Sequence, residues 1–349
     1  MAERTALILS GGIALGAYSA GACALLLERG QLPARIAASS IGAINAAILA
    51  GNPPERRMDA LRRFWEVTAG RAADWTVPAV GAFRQLHSRI SAIQTLAFGL
   101  PRLFLPRLPG VFSAIPGMAE DAALYDLTPL RHRLAECIDV ARLNDGTIHL
   151  TVCATDVHTG EEVRFDTAEQ PITVEHILAS SAFIPAFAPV EVDGRLLCDG
   201  GFSANLPLDA VLDEPAVEDR LCLAVDLFSP RGDRPHSVAQ AAERLIELLL
   251  GNQTRLAIEG QRRLHEQRAR AGERVPAVRF LHLVYRAAAH ENVMKGLDFS
   301  SATVAERWEA GHRDMARALS SLPPAAPGAF TVHTVEGRID SPAAPVAPA

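Results

Sequence analysis

A chain of 349 residues can form one large α/β domain, or two smaller ones, with an ample core. With 49% hydrophobic and 21% charged residues it is no disordered polymer, and a formal charge of −6 argues against a general nucleic-acid binder. The five cysteines are odd in number, lie in apolar segments and lack metal-ligand spacing, so neither a disulfide framework nor a metal site is expected, and a reducing, cytoplasmic compartment is. The first ten residues lack the charge and apolar length of a secretory signal, and no window holds about 18 uninterrupted apolar residues, so a soluble chain is expected.

Residues 5–9 form a short apolar run that reads as a buried parallel strand, and 17–28 read as a helix closed by Gly30. Between them lies Ser10-Gly11-Gly12-Ile13-Ala14-Leu15-Gly16, a turn that gathers free backbone N–H groups and suits an anion. A dinucleotide fingerprint would need glycine at 13, and a phosphate loop would need a following Gly-Lys-Ser/Thr; neither is present. A third reading is an oxyanion hole for a nucleophile arriving on the next strand.

The next apolar run reaches Ser39-Ser40 and turns at once into an Ala-rich helix, the layout of a nucleophile elbow with Ser40 as nucleophile. Gly42 stands two residues after Ser40, as G-x-S-x-G requires, but Ala38 stands two before it; Ser39 fits worse because its plus-two residue is Ile41. The plain alternative is a strand–helix junction capped by serine. Residues 53–69 read as a helix.

Residues 75–119 contain no acid but carry Arg84, Arg89, Arg102 and Arg107 among many apolar side chains and several prolines. Two readings stand for this segment: a cap or interfacial surface meeting anionic lipid, peripheral at the inner membrane face, and a core insertion whose arginines pair elsewhere. Further along, 121–137 and 173–180 read as helices, and 147–154 and 161–166 as strands. A hairpin turns at Asp193-Gly194 and delivers Asp199-Gly200-Gly201, a carboxylate at a strand end. Residues 206–212, 237–270 and 302–319 read as helices, 221–227 and 278–284 as strands, and the Pro/Ala-rich 323–349 as a flexible tail. Strands alternating with helices predict a three-layer α/β/α sandwich with a mostly parallel central sheet.

Taken in order, the glycine turn, the serine elbow and the Asp-Gly-Gly resemble the motifs of patatin-like phospholipases, G-G-G-x-R/K-G, G-x-S-x-G and D-G-G/A. The resemblance runs over about residues 5–215, supported by Asn205, Pro207, Leu208 and Asp209 after the glycines. Asp298-Phe299-Ser300 and Glu306 to Gly311 are similar to a C-terminal extension in a bacterial branch of the family, which would occupy 216–320 and pack on the core. The resemblance implies a lipid acyl hydrolase with a Ser40–Asp199 dyad, an oxyanion hole at Gly11, Gly12 and Ile13, and support from Gly16, Ala38, Gly42, Gly200 and Gly201. It implies no metal and no cofactor.

The sequence departs from the family at Ile13 (third glycine), Leu15 (basic residue) and Ala38 (first elbow glycine). A β-branched residue resists positive φ, so either position 13 has ordinary torsions or the hole is distorted. Two rival functions remain open from the sequence: an esterase with a Ser–Asp–His triad drawing on His236, His265, His282, His290, His312 or His333, and a lipid-binding pseudoenzyme.

Overall fold

The computed structural model describes residues 3–70, 83–108, 110, 122–214, 218–288, 291 and 294–337. Eleven strands are found among them: β1 (Arg4–Leu9), β2 (Arg35–Ser39), β3 (Leu105–Pro106), β4 (Tyr125–Asp126), β5 (His149–Asp156), β6 (Glu162–Asp166), β7 (Val190–Val192), β8 (Arg195–Asp199), β9 (Arg220–Asp226), β10 (Val278–Val284) and β11 (Phe330–Glu336). Nine of them build one sheet in the order β11-β10-β9-β1-β2-β5-β8-β7, with β6 also paired to β5. From β11 to β5 every pairing is parallel, and β6, β7 and β8 are joined antiparallel. The result is a mixed, mostly parallel sheet with flanking helices.

Side chains of a strand alternate between faces, and here both faces are covered. In β1, Leu7 and Leu9 enter one apolar cluster with Ile36, Ala38 and Val152, while Ala6 and Ile8 enter another with Ala37, Cys153 and Phe280. This explains why the central strands read as continuous apolar runs.

The helices that matter for the site are α1 (Gly16–Glu28), α2 (Ile41–Ala50), α3 (Pro54–Thr68) and α4 (Arg84–Phe98), together with Val174–Ser180, the long helix Val238–Arg270 and the helix Ser301–Ser320. The last packs tightly on α1: a Cβ on Gly311 would fall 1.9 Å from the Tyr18 carbonyl oxygen.

Several expectations are corrected. Residues 323–349 are not a flexible tail throughout, because Phe330–Glu336 pairs along the whole of β10 and completes the sheet edge; residues 338–349 lie outside the described residues. The helix expected over 121–137 is confined to Thr128–Cys137. Before it, Tyr125–Asp126 is extended, pairing with β3 and donating the Tyr125 N–H to the Ala186 carbonyl at 2.8 Å, and Pro129 opens the helix. Of 206–212 only Asp209–Leu212 is helical. The boundary at 215 is not a structural one: β9 lies beside β1 in the same sheet.

Candidate active site

Strand register brings the motifs together. Ser39 of β2 lies opposite Cys153 of β5, and Asp199 at the end of β8 lies opposite Ala154, the next residue of β5. Ser40 and Asp199, 159 positions apart, thus meet over one strand, and Ser40 Oγ donates to Asp199 Oδ2 at 2.6 Å.

Ser40 takes φ 54° and ψ −128°, a conformation that L-residues avoid and that aims the side chain off the strand end at the start of α2. The turn is held from below: Ser40 N–H donates to Ser180 Oγ at 2.9 Å, and Ser180 Oγ–H donates to the Cys153 carbonyl at 2.6 Å. Gly42 is required by space, since a Cβ there would lie 2.6 Å from the Leu9 carbonyl oxygen. Ala38 is fully buried opposite Leu9 and Val152, so a methyl group fits under this elbow.

Asp199 is 3% exposed. Burial pushes its carboxyl up to about 6, against hydrogen bonds from the Ser40 hydroxyl and the Gly201 N–H that lower it. The Gly201 N–H reaches Oδ1 at 2.7 Å, leaving Oδ2 to the serine. A carboxylate with a value near 6 accepts a proton more readily than an exposed aspartate and is still ionised at neutral pH.

The glycine turn stands beside the pair. Gly11 N–H is already given to the Asn205 carbonyl at 3.2 Å, whereas the N–H groups of Gly12 and Ile13 have no acceptor among the described residues. Ile13 has φ 51°, so the β-branched residue does adopt the left-handed conformation expected of glycine. Gly16 begins α1 behind the turn, where a Cβ would meet Ile41, and Gly200 leads from Asp199 into the short helix Gly201–Ala204.

A cavity of about 450 Å³ opens on Ser40 and Asp199. Apart from the dyad, Gly11, Gly12, Gly201, Asn205 and the Glu243–Lys295 pair, its walls are apolar, among them Leu96, Leu124, Tyr125, Phe183, Phe228, Ile246, Leu250, Met294 and Leu297. The wall after residue 238 had no local sequence signal, because Ile246 and Leu250 belong to a long Arg/Glu-rich helix and Met294 to a loop. Lys295, the only lysine of the chain, anchors that loop by pairing with Glu243 (3.4 Å) and Glu247, and Glu243 also accepts the Met294 N–H at 2.8 Å. Ser180 and Asn205 were likewise not singled out for the site by spacing.

The described candidate histidines lie elsewhere. His282 faces Asp226, His312 Glu28, His333 Ser321 and His265 the Gly328 carbonyl, and His236 lines a separate polar cleft; His290 is outside the described residues. Among the described residues no histidine is bonded to Ser40 or Asp199, and no cluster of three or more His, Cys, Asp or Glu could hold a metal ion.

A family model described as patatin-like phospholipase matches residues 7–212, and a second, described as patatin phospholipase, matches 236–327. Among the curated proteins none matches this sequence. Solved structures with a similar course include VipD from Legionella pneumophila, at TM-score 0.44 and 14% identity over 93% of this chain and 68% of VipD. Full-length ExoU of Pseudomonas aeruginosa, in complex with SpcU, gives TM-score 0.31 and 17% identity over 74% of this chain and 52% of ExoU. Human GIVD cytosolic phospholipase A2, in complex with methyl gamma-linolenyl fluorophosphonate, gives TM-score 0.32 and 14% identity over 83% and 44%. The chain thus spans about half the length of ExoU and less than half of that phospholipase.

Proposed function

The chain belongs to the patatin-like phospholipase family, and from that premise we propose that it is a serine acyl hydrolase cleaving carboxylic esters of phospholipids or lysophospholipids through Ser40 and Asp199. The observation that carries this reading is the 2.6 Å bond between the Ser40 hydroxyl and a buried carboxylate, both lining a mostly apolar cavity.

In this scheme Ser40 Oγ attacks the ester carbonyl carbon while Asp199 Oδ2 takes the hydroxyl proton. The carbonyl oxygen becomes an oxyanion facing the free N–H groups of Gly12 and Ile13, each such donor contributing on the order of 3 kcal/mol to the transition state. Collapse breaks the bond to the alcohol oxygen, which leaves with the proton from Asp199, and the acyl group stays on Ser40. Asp199 then takes a proton from water; the hydroxide oxygen attacks the acyl carbon, and Ser40 leaves reprotonated, releasing the fatty acid. The apolar walls suit an acyl chain, because burying each methylene contributes about 0.8 kcal/mol.

Two exposed apolar faces support contact with a lipid surface. Ile93, Leu96 and Phe98 project from α4, and Val238, Leu245, Ile246 and Leu249 from the long helix; Leu96 and Ile246 also line the cavity. In this reading the cavity mouth sits against lipid, consistent with peripheral binding. No described helix is long and apolar enough to cross a membrane.

A fluorophosphonate probe is expected to label the protein at Ser40, and Ser40→Ala to abolish both labelling and ester turnover. Labelling that persists in Ser40→Ala would remove the reading. A folded protein that binds acyl chains but is never labelled would instead be a lipid-binding protein without turnover.

A further inference from the structure

Glu243 and Lys295, which also line the cavity, pair with each other, and that leaves Asn205 as a polar side chain there with neither a task in the dyad scheme nor a partner for its amine. It is 2% exposed and lines the same space as Gly11, Gly12, Ser40 and Asp199, yet its Nδ2 has no acceptor among the described residues. A buried amide is normally satisfied, so an orphaned one beside a reactive serine calls for a partner that arrives from outside.

Its backbone is pinned between the two glycine turns. The Asn205 carbonyl accepts the Gly11 N–H at 3.2 Å, its own N–H donates to Gln253 Oε1 at 3.2 Å, and Gln253 Nε2 donates to the Gly201 carbonyl at 3.2 Å. The carboxamide then lies in the gap where neither turn has a side chain. The point a Cβ on Gly11 would occupy is 2.7 Å from Asn205 Oδ1, 2.9 Å from Ser40 Cβ and 3.6 Å from Ser40 Oγ. The corresponding point on Gly201 is 3.0 Å from Asn205 Oδ1 and 2.9 Å from Asp199 Oδ1. Two acceptor oxygens therefore border one small space. The terminal torsion of asparagine is broad and nearly two-fold, so a half turn about Cβ–Cγ exchanges the ends within the same volume and brings the amine to this space.

Resting on the Ser40–Asp199 reading, we propose that Asn205 is a further catalytic residue, whose Nδ2 donates a hydrogen bond to the ester oxygen as it becomes an oxyanion. This side-chain donor supplements the Gly12 and Ile13 N–H groups and replaces Gly11, whose N–H is already used. No atom changes hands; the amide only turns and donates.

The test uses the full chain with a soluble chromogenic acyl ester, comparing wild type with Asn205→Asp, Asn205→Ala and Asn205→Ser. The carboxylate of the Asp variant keeps the shape but cannot donate when ionised. Expected are a fall in kcat of about a hundredfold or more, KM within about threefold, and a melting temperature close to wild type for at least one variant. Folded variants with kcat within about threefold of wild type, or with the loss entirely in KM, overturn the proposal. Failure of all three to fold overturns it too, by making the residue structural. A wild-type chain with neither turnover nor Ser40 labelling sinks the hydrolase reading and this proposal with it, whereas active wild type with unaffected variants rejects the role of Asn205 alone.

Discussion

Ser40 at φ 54° and Ile13 at φ 51° hold left-handed backbone on either side of the reacting point. Each such residue costs on the order of 1–2 kcal/mol, which the surrounding sheet and helices must offset. Asp199 adds a second local cost. Its carboxyl is raised from 3.8 to about 6 by burial, so the folded state favours the protonated form. The group therefore contributes stability that is fully present below pH 3.8 and is lost as pH rises through about 6, about 3 kcal/mol in all by the usual conversion. Two results follow. The pH profile of kcat/KM should rise through an acid limb near pH 6, where Asp199 becomes able to accept the serine proton; a flat profile between pH 5 and 7 would remove it as the base. Asp199→Asn should abolish turnover yet unfold at equal or higher denaturant concentration than wild type at pH 7, because the desolvated charge is gone.

At the scale of elements, the described part of the basic and apolar segment is buried in places and exposed in others. Arg84 is buried and paired with Glu306 at 2.7 Å and Thr303 at 2.6 Å, and Leu100, Leu103 and Phe104 enter the core, so this part is insertion. Arg89, Arg102, Ile93, Leu96 and Phe98 are exposed, so that part faces outward. Trp75 and Phe112 lie outside the described residues. If this face meets lipid, Phe98→Ser combined with Leu249→Ser should weaken binding to anionic vesicles by about tenfold or more, since each side chain contributes about 1.5–3 kcal/mol when buried. Co-sedimentation at low salt measures it, with turnover of a soluble short-chain ester as the control; unchanged vesicle binding would detach the patch from lipid contact.

For the whole molecule, the segment after residue 215 belongs to the same sheet and cavity as the candidate site. It supplies β9 at the centre of the sheet, the long helix along the cavity and the turn Lys295–Leu297 at the cavity wall. That turn is held by Arg307, fully buried on the helix Ser301–Ser320, which pairs with Glu291 at 2.9 Å and donates to the carbonyls of Lys295 (2.8 Å) and Asp298 (3.2 Å). Arg307→Ala leaves Glu291 uncompensated in the interior and should cost about 3–5 kcal/mol in urea unfolding. A loss below 1 kcal/mol would mean that the extension does not fold with the core.

Much of this was legible in the chain. Apolar runs marked the central strands because both faces of the sheet are covered, Asp193-Gly194 marked a hairpin because both residues need positive φ (51° and 75°), and three short motifs marked the residues that now surround one cavity. The strand Phe330–Glu336 was not legible, because it is stabilised by pairing with β10 and not by its own composition. Nor were Ser180, Asn205 and the wall from Ile246 to Leu297, whose roles depend on contacts across the fold. The sequence by itself determined which residues could be strand, elbow or turn, since those are local demands of torsion and size. Only the tertiary structure decided that Ser40 and Asp199 meet at 2.6 Å, because that distance is set by the register of β2, β5 and β8.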